Sequence, residues 1–339
     1  MSDKTTNLTD LRYDGRMTDR ELGRTGIRVS PIGLGTWQFA GPSRMSTAFF
    51  PAIPQAQIDE IVQAALDGGI TSFDSAQMYG NGHAERSLAS ALTTAGIQPG
   101  DVTVATKWNP LRHTAHNIEK TIDDRISALS PFPIGLYMIH LNFGSLSTVS
   151  AQINAMARLV EAGKIGSVGV SGFSARQMEI SHRVLQEHGI PLATNQVQIN
   201  LLERKIETNG VLETARRLGV TLEAFSPLRS GMLTGKFHDD RSLVAKMTPF
   251  RRALNGFSKK RLDRTTPLIR GLQEIGAAHS ATASQIALAW LITYYGDTVI
   301  AIAGATKPHH AKEAAAAMGV TLSQDEMQRL DELSTSAIG

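Results

Sequence analysis

The chain has 339 residues, 42% hydrophobic and 19% charged, with a formal net charge of +3, so it is long and apolar enough to bury a large core. The balance is mildly basic, with no Lys/Arg run long enough to suggest a nucleic-acid surface, and the absence of cysteine excludes disulfides, thiolate catalysis and cysteine-bound zinc. No run of about 18 apolar residues marks a membrane span or signal peptide, so a soluble, cytoplasmic protein without membrane contacts is expected.

Residues 1–20 are polar and alternate in charge, and are expected to form a flexible N-terminal tail before a single domain over 21–339. Residues 21–30 resemble a hairpin turning at Thr25-Gly26. From there short β-prone runs alternate with helical patterns. Ile32-Gly33-Leu34 leads, after a long loop, to a helix over 57–67, and Thr71-Ser72-Phe73 to one over 84–95. Residues 102–106 lead to a helix over 116–129, 135–139 to 150–162, 167–170 to 175–188, and 194–199 to 206–218. Residues 220–225 open a long irregular stretch to about 261. Helices over 262–278 and 283–295 follow, then 299–302 with a helix over 310–318, and a last helix over 324–333. Eight strand–helix units with strands apolar on both faces imply parallel pairing and right-handed crossovers. The predicted fold is therefore an α/β (β/α)8 TIM barrel with an N-terminal β-hairpin and additional C-terminal helices.

Functional groups of such a barrel gather at the C-terminal ends of its strands. Those ends carry Gly35-Thr36-Trp37, Asp74, Lys107, His140, Ser171, Gln196, Phe225-Ser226 and Gly304. The stretch from Phe73 to Glu85 delivers Asp74 to a strand tip and exposes Tyr79 on the glycine-rich loop that follows. A phenol becomes a useful proton donor when a nearby cation lowers its pKa, and Lys107 at the next strand end supplies that cation. Asp74 is expected to pair with Lys107, and His140 to hydrogen-bond a substrate oxygen. Such a set polarises a carbonyl and protonates the oxygen as negative charge develops. No side chain supplies hydride, so a nicotinamide cofactor is implied.

Taken together, these motifs resemble the aldo-keto reductase family. The resemblance rests on Gly33-Leu34-Gly35-Thr36-Trp37, Phe73-Asp74-Ser75-Ala76 with Tyr79-Gly80 and Gly82, and Ala105-Thr106-Lys107. It continues through His140, Gly169-Val170-Ser171, Asn195-Gln196, Phe225-Ser226-Pro227-Leu228, Leu233-Thr234-Gly235-Lys236 and Gly304, and covers about 21–333. It implies NADP(H)-dependent reduction of a small-molecule aldehyde or ketone to an alcohol, reversibly, by the catalytic tetrad Asp74, Tyr79, Lys107 and His140. It also implies a cofactor site in which Gly35, Thr36, Trp37 and Asp74 line the mouth. Ser171 and Gln196 would hold the nicotinamide carboxamide, and Phe225 would stack on the ring. Ser226, Pro227, Leu228 and Lys236 would wrap the pyrophosphate. Gly304, Thr306, His310 and Glu313 would meet the adenosine end, where a helix N-terminus favours phosphate. The chain departs from the family at Gly172, His310 and Ala314, where Asn, Arg or Gln, and Asn are usual. The cofactor's 2′-phosphate would then meet Lys307 or Arg251.

Other signals are weaker. Neither Gly33-Leu34-Gly35 nor Gly80-Asn81-Gly82 completes a dinucleotide fingerprint, and no tyrosine has a lysine four residues on, as a short-chain dehydrogenase would need. His309-His310 with Glu313 is read as a helix start and not as a metal site. His113 and His116 are read as loop or cap residues. Trp37 and Trp108 would either line an apolar pocket or pack under loops, and Trp290 is read as core. An NADP(H)-binding redox sensor or accessory subunit with little turnover is the alternative function. Substrate specificity would reside in loops 38–54, 141–148 and 229–261, and oligomeric state is left open.

Overall fold

Eight parallel strands close on one another in a computed structural model that describes residues 19–42, 51–248, 252–253 and 256–338. A two-stranded antiparallel hairpin, β1 (Arg20–Glu21) and β2 (Arg28–Val29), precedes them. The barrel strands are β3 (Ile32–Gly35), β4 (Ser72–Asp74), β5 (Thr103–Trp108), β6 (Ile134–Ile139), β7 (Ser167–Ser171), β8 (Leu192–Gln198), β9 (Thr221–Phe225) and β10 (Val299–Gly304). They run in chain order around the ring, and β10 pairs with β3 to close it. The predicted (β/α)8 barrel with its N-terminal hairpin is the observed fold.

The hairpin seals one end of the ring. Leu22 and Val29 are buried with Ala105, Leu136, Met138, Ala193, Ile300 and Ile302, and burying two such side chains contributes about 1.5–3 kcal/mol each. The Arg20 guanidinium donates to the carbonyls of Val299 and of Ile292, the latter at 2.5 Å. The backbone N–H of Gly23 donates to Thr221 Oγ1 at 2.8 Å. Val299 and Thr221 are the first residues of their strands, so the hairpin covers the N-terminal end and leaves the C-terminal mouth open. Arg20, assigned to the tail by its polar surroundings, is thus a buried strand residue.

The outer layer comprises α1 (Gln55–Asp67), α2 (His83–Thr94), α3 (His116–Leu129), α4 (Val149–Glu161), α5 (Ala175–Glu187) and α6 (Val211–Leu218), with α9 (Lys259–Ala278), α10 (Ala283–Tyr294), α11 (Pro308–Ala316) and α12 (Gln324–Ile338). Short helices α7 (Lys236–Asp239) and α8 (Ser242–Ala245) lie between α6 and α9. The helices bury one continuous apolar layer against the strands, as amphipathic helices on a doubly covered sheet must.

Two predicted stretches differ in kind from the expectation. The helix expected over 206–218 is a single 3-10 turn, Lys205–Glu207, followed by α6. Asn209 Oδ1 accepts from the backbone of Val211, and Gly210 has φ 79°, so an Asn-Gly pair resets the chain before the helix restarts. The stretch after β9 is not irregular throughout. It holds a 3-10 segment (Arg229–Thr234), α7 and α8, and α9 begins at Lys259, capped by Ser258 Oγ. Among the described residues no single helix is long and apolar enough to cross a membrane.

Candidate active site

Strand register brings the expected residues to one rim. Gly35 lies opposite both Gly304 and Asp74, Asp74 opposite Ala105, Ser171 opposite Gln196, and Gln196 opposite Glu223. The backbone N–H of Thr36 donates to the Asp74 carbonyl at 2.9 Å, and its hydroxyl does the same at 3.1 Å. The backbone N–H of Ser75 donates to the Ala105 carbonyl and that of His140 to the Trp108 carbonyl. These bonds carry the ladder one residue beyond each strand end and set the side chains at the mouth.

Lys107 is fully buried. Its ammonium donates to Asp74 Oδ1 at 2.6 Å, to Asp74 Oδ2 at 2.7 Å and to the Ser75 carbonyl at 2.8 Å. All three donors of the ammonium are used, which satisfies a charge that would otherwise be very costly to bury. Burial works against the charged form, but Asp74, Tyr79 and Glu223 outweigh it and push the lysine pKa up. Lys107 remains a cation at every working pH.

The loop carrying Tyr79 is held by close backbone approach. Gly80 has φ 67°, and a Cβ there would stand 1.9 Å from the Ala40 carbonyl oxygen. Only glycine permits both that conformation and that contact. The Lys107 nitrogen lies 5.1 Å from the Tyr79 ring centroid, and the His140 ring meets the Tyr79 ring edge-on at 5.6 Å.

The expectation that Lys107 leaves the phenol more acidic than usual needs correction. Lys107 does pull the phenol pKa down, chiefly through its charge. Burial outweighs that pull, with Asp74 adding to it, and the net shift is upward. The resting phenol therefore keeps its proton, and the ammonium limits the rise instead of reversing it. His140 is held down to about 3 by burial and by Lys107, so it is a neutral imidazole, and its buried Nδ1 has no hydrogen-bond partner among the described residues. A neutral imidazole that is part-exposed at the rim suits hydrogen bonding to a substrate oxygen through the nitrogen other than the buried Nδ1.

One member of the site was not singled out from the sequence. Glu223, on β9, is buried, and its Oε2 accepts from Gln196 Nε2 at 2.9 Å; the same nitrogen donates to Asp74 Oδ1 at 3.2 Å. Burial first, then the Asp74 charge, raises the Glu223 carboxyl to about 7. The signal was present: a carboxylate inside the apolar strand Thr221-Leu222-Glu223-Ala224-Phe225, two residues before the strand end, where strand periodicity gives it the same face as Phe225.

The residues expected around a dinucleotide follow the rim. The Ser171 hydroxyl donates to the Gln196 carbonyl at 3.2 Å, and Gly172 turns away at φ 71°. Phe225 is exposed at the end of β9, an unusual place for a large aromatic side chain. Ser226 takes φ 51°, and its carbonyl accepts from Asn200 Nδ2; Pro227 and Leu228 lead into the 3-10 segment. Lys236 opens α7, and its nitrogen stands 3.6 Å from where a Gly231 Cβ would be, so it folds back over that segment. Trp37 lies in a 3-10 turn after β3.

At the far end, α11 starts at Pro308, two residues earlier than expected, with Lys307 at its N-cap. A proline at the first helical position leaves no donor unpaired. Thr306 donates from its backbone N–H to His310 Nδ1 at 3.3 Å. Burial, then His309, Lys236 and Lys307, hold His310 down to about 4. Cationic side chains thus converge on a helix N-terminus, the setting that favours a phosphate. Glu313 lies one turn along α11, and Gly304 ends β10 against the Gln38 side chain. Arg251 and loop residues 43–50 lie outside the described residues.

Other expectations sort as follows. Trp108 is fully buried and donates to Asn117 Oδ1 at 2.9 Å, so it packs under α3 and lines no pocket. Trp290 is core, as read. His113 donates from Nδ1 to the Asn109 carbonyl at 3.0 Å within its loop, and His116 starts α3. Among the described residues no group of three or more His, Asp or Glu is arranged to hold a metal. Glu85 accepts from Thr106 at 2.6 Å and pairs with Arg125, fastening α2 to β5 and α3 beneath the Tyr79 loop.

Known proteins share both the sequence pattern and this barrel. The profile of the aldo/keto reductase family matches residues 31–335. A chloroplastic pyridoxal reductase of Arabidopsis thaliana is 28% identical over 317 residues, 90% of this chain and 83% of that protein. The crystal structure of the thermostable aldo-keto reductase Tm1743 with the inhibitor epalrestat superimposes with a TM-score of 0.72 at 30% identity, covering 94% of this chain and 100% of that one. An aldo-keto reductase from Klebsiella pneumoniae in complex with NADPH gives 0.71 at 25% identity, over 93% and 95% of the two chains. The match spans every barrel strand and the rim they carry, and the chain belongs to the aldo/keto reductase family of oxidoreductases.

Proposed function

We propose that the protein reduces an aldehyde or ketone to an alcohol with NADPH, the proton coming from Tyr79. The observation that carries this reading is the phenol beside a fully buried, three-bonded ammonium, with a neutral His140 edge-on to it. Bound NADPH supplies hydride to the carbonyl carbon. The protein's part is to hold and discharge a proton. His140 orients the carbonyl oxygen, and Tyr79 donates to that oxygen as it becomes alkoxide. Lys107 then stabilises the phenolate left behind, with Asp74 holding Lys107 in place.

The cofactor reading rests on the rim chemistry and on the NADPH-bound Klebsiella relative. Gln196 and Ser171 would take the carboxamide, Phe225 the ring face, and 226–228 with Lys236 the pyrophosphate. Lys307, at the N-cap of α11, suits the extra phosphate of NADPH better than the bare ribose of NADH. The upward-shifted phenol favours reduction, because alcohol oxidation needs Tyr79 already ionised as the base.

The test is NADPH oxidation by the purified protein across aromatic aldehydes, short sugars, steroids and keto acids, with NADH as control. Turnover of at least one carbonyl class, faster with NADPH, is expected. NADPH binding with no turnover across the panel would favour a redox sensor.

A further inference from the structure

Glu223 has no part in the proton donation described above, yet it is buried within two hydrogen bonds of it. Gln196 Nε2 bridges Glu223 and Asp74. An amide nitrogen is the only end of that side chain that can face two carboxyl oxygens, since the carbonyl would be repelled by both. Gln196 Oε1 therefore points away from the carboxyl pair, and Gln196 is the side chain assigned above to the nicotinamide carboxamide. Glu223 thus stands directly behind the group that reads the reactive ring.

The charge count makes the position informative. The charged groups acting on Glu223 are Asp74 from β4 and Lys107 from β5, while its strand neighbours offer Gln196 from β8 and apolar Ile300 from β10. Two carboxyl groups thus face one ammonium. Tyr79 and His140 are both neutral in the working range, so neither offsets a second negative charge beside Asp74 and Lys107. An oxidised nicotinamide brings a positive charge to the site; a reduced one brings none.

We propose that Glu223 is a positioning residue whose charge couples to the oxidation state of the bound dinucleotide: ionised Glu223 favours NADP+ over NADPH, and protonated Glu223 removes that preference. This rests on the cofactor reading above. Its carboxyl, raised to about 7, would make the preference pH-dependent near neutrality. The site would then release the oxidised product more slowly at alkaline pH than at acid pH.

The ratio of dissociation constants for NADP+ and NADPH tests this across pH 5.5–8.5, for wild type and Glu223→Gln. Effects of the 2′-phosphate, which titrates near about pH 6, are common to both nucleotides and cancel in the ratio. In wild type the NADP+/NADPH ratio should fall on the order of tenfold from acid to alkaline pH, the effect of one charge within about 10 Å inside a protein. In Glu223→Gln it should stay at the wild-type acid value. Equal ratios for the two proteins at the alkaline end would overturn the proposal. Failure of wild type to bind either nucleotide would instead overturn the cofactor reading. Should the variant not fold, wild-type calorimetry in two buffers of different ionisation enthalpy decides the question. NADP+ binding just below neutrality should release more protons than NADPH binding, and equal release would refute the coupling.

Discussion

Lys107→Met separates the structural and chemical roles of the buried ammonium. The change removes three hydrogen bonds, two to Asp74 and one to the Ser75 carbonyl, and leaves a buried carboxylate without its cation. Breaking a buried pair from one side costs about 3–5 kcal/mol. The chemical loss is of similar size. With the nitrogen 5.1 Å from the Tyr79 ring centroid and an effective dielectric of about 20, a unit charge stabilises phenolate by about 3 kcal/mol, roughly two orders of magnitude in rate. The double variant Asp74→Asn/Lys107→Met removes both charges, so most of the stability should return while the catalytic loss stays. Urea denaturation and NADPH-dependent carbonyl reduction, measured on all three proteins, give the readout. A double variant as unstable as the single one, or a single variant with wild-type turnover, would refute the assignment of this pair.

Further outcomes follow from the same geometry. Glu223→Gln should change how stability depends on pH. The folded carboxyl, raised to about 7, binds a proton that the unfolded chain has lost above about pH 4.5, so wild-type stability should fall between those values and level off above. The variant should lack that decline of about 3 kcal/mol, read as denaturation midpoints at pH 5 and pH 8; parallel curves would contradict it. Gly80→Ala places a Cβ against the Ala40 carbonyl at φ 67° and should cost about 2–4 kcal/mol. It should also lower turnover by displacing Tyr79, and full activity at unchanged stability would count against the loop's role. Alcohol oxidation should keep rising with pH through the ordinary phenol range, because burial raises the Tyr79 pKa and keeps its base form scarce. A plateau below about pH 9 would show a more acidic phenol than this environment allows.

The barrel was legible because its signals are local and repeated. Apolar β-prone runs such as 102–106 and 135–139 are buried on both faces, and helices such as His116–Leu129 fall where their periodicity places them. The rim was legible because strand ends collect chemistry in this fold, which is how Asp74, Lys107 and His140 were found without coordinates. What escaped depended on three-dimensional burial. Lys107 and Tyr79 are neighbours, as expected, but the desolvation that raises the phenol pKa cannot be read from spacing. Trp108 follows Lys107 in sequence, yet strand alternation turns it outward under α3, away from the mouth. Glu223 was missed because a carboxylate on a strand is usually a solvated edge, and only closure of the ring shows that its neighbours are Gln196 and, across the barrel, Asp74. Arg20 looked like tail until the ends of β9 and β10 gave its hairpin somewhere to dock.

The central claim is that the Tyr79 phenol, beside the buried ammonium, delivers the proton. Tyr79→Phe tests it most directly, with NADPH affinity and carbonyl reduction measured on the same sample. Affinity should stay within about twofold of wild type while turnover drops by about two to four orders of magnitude. Turnover near the wild-type level in a variant that still binds NADPH would contradict the account.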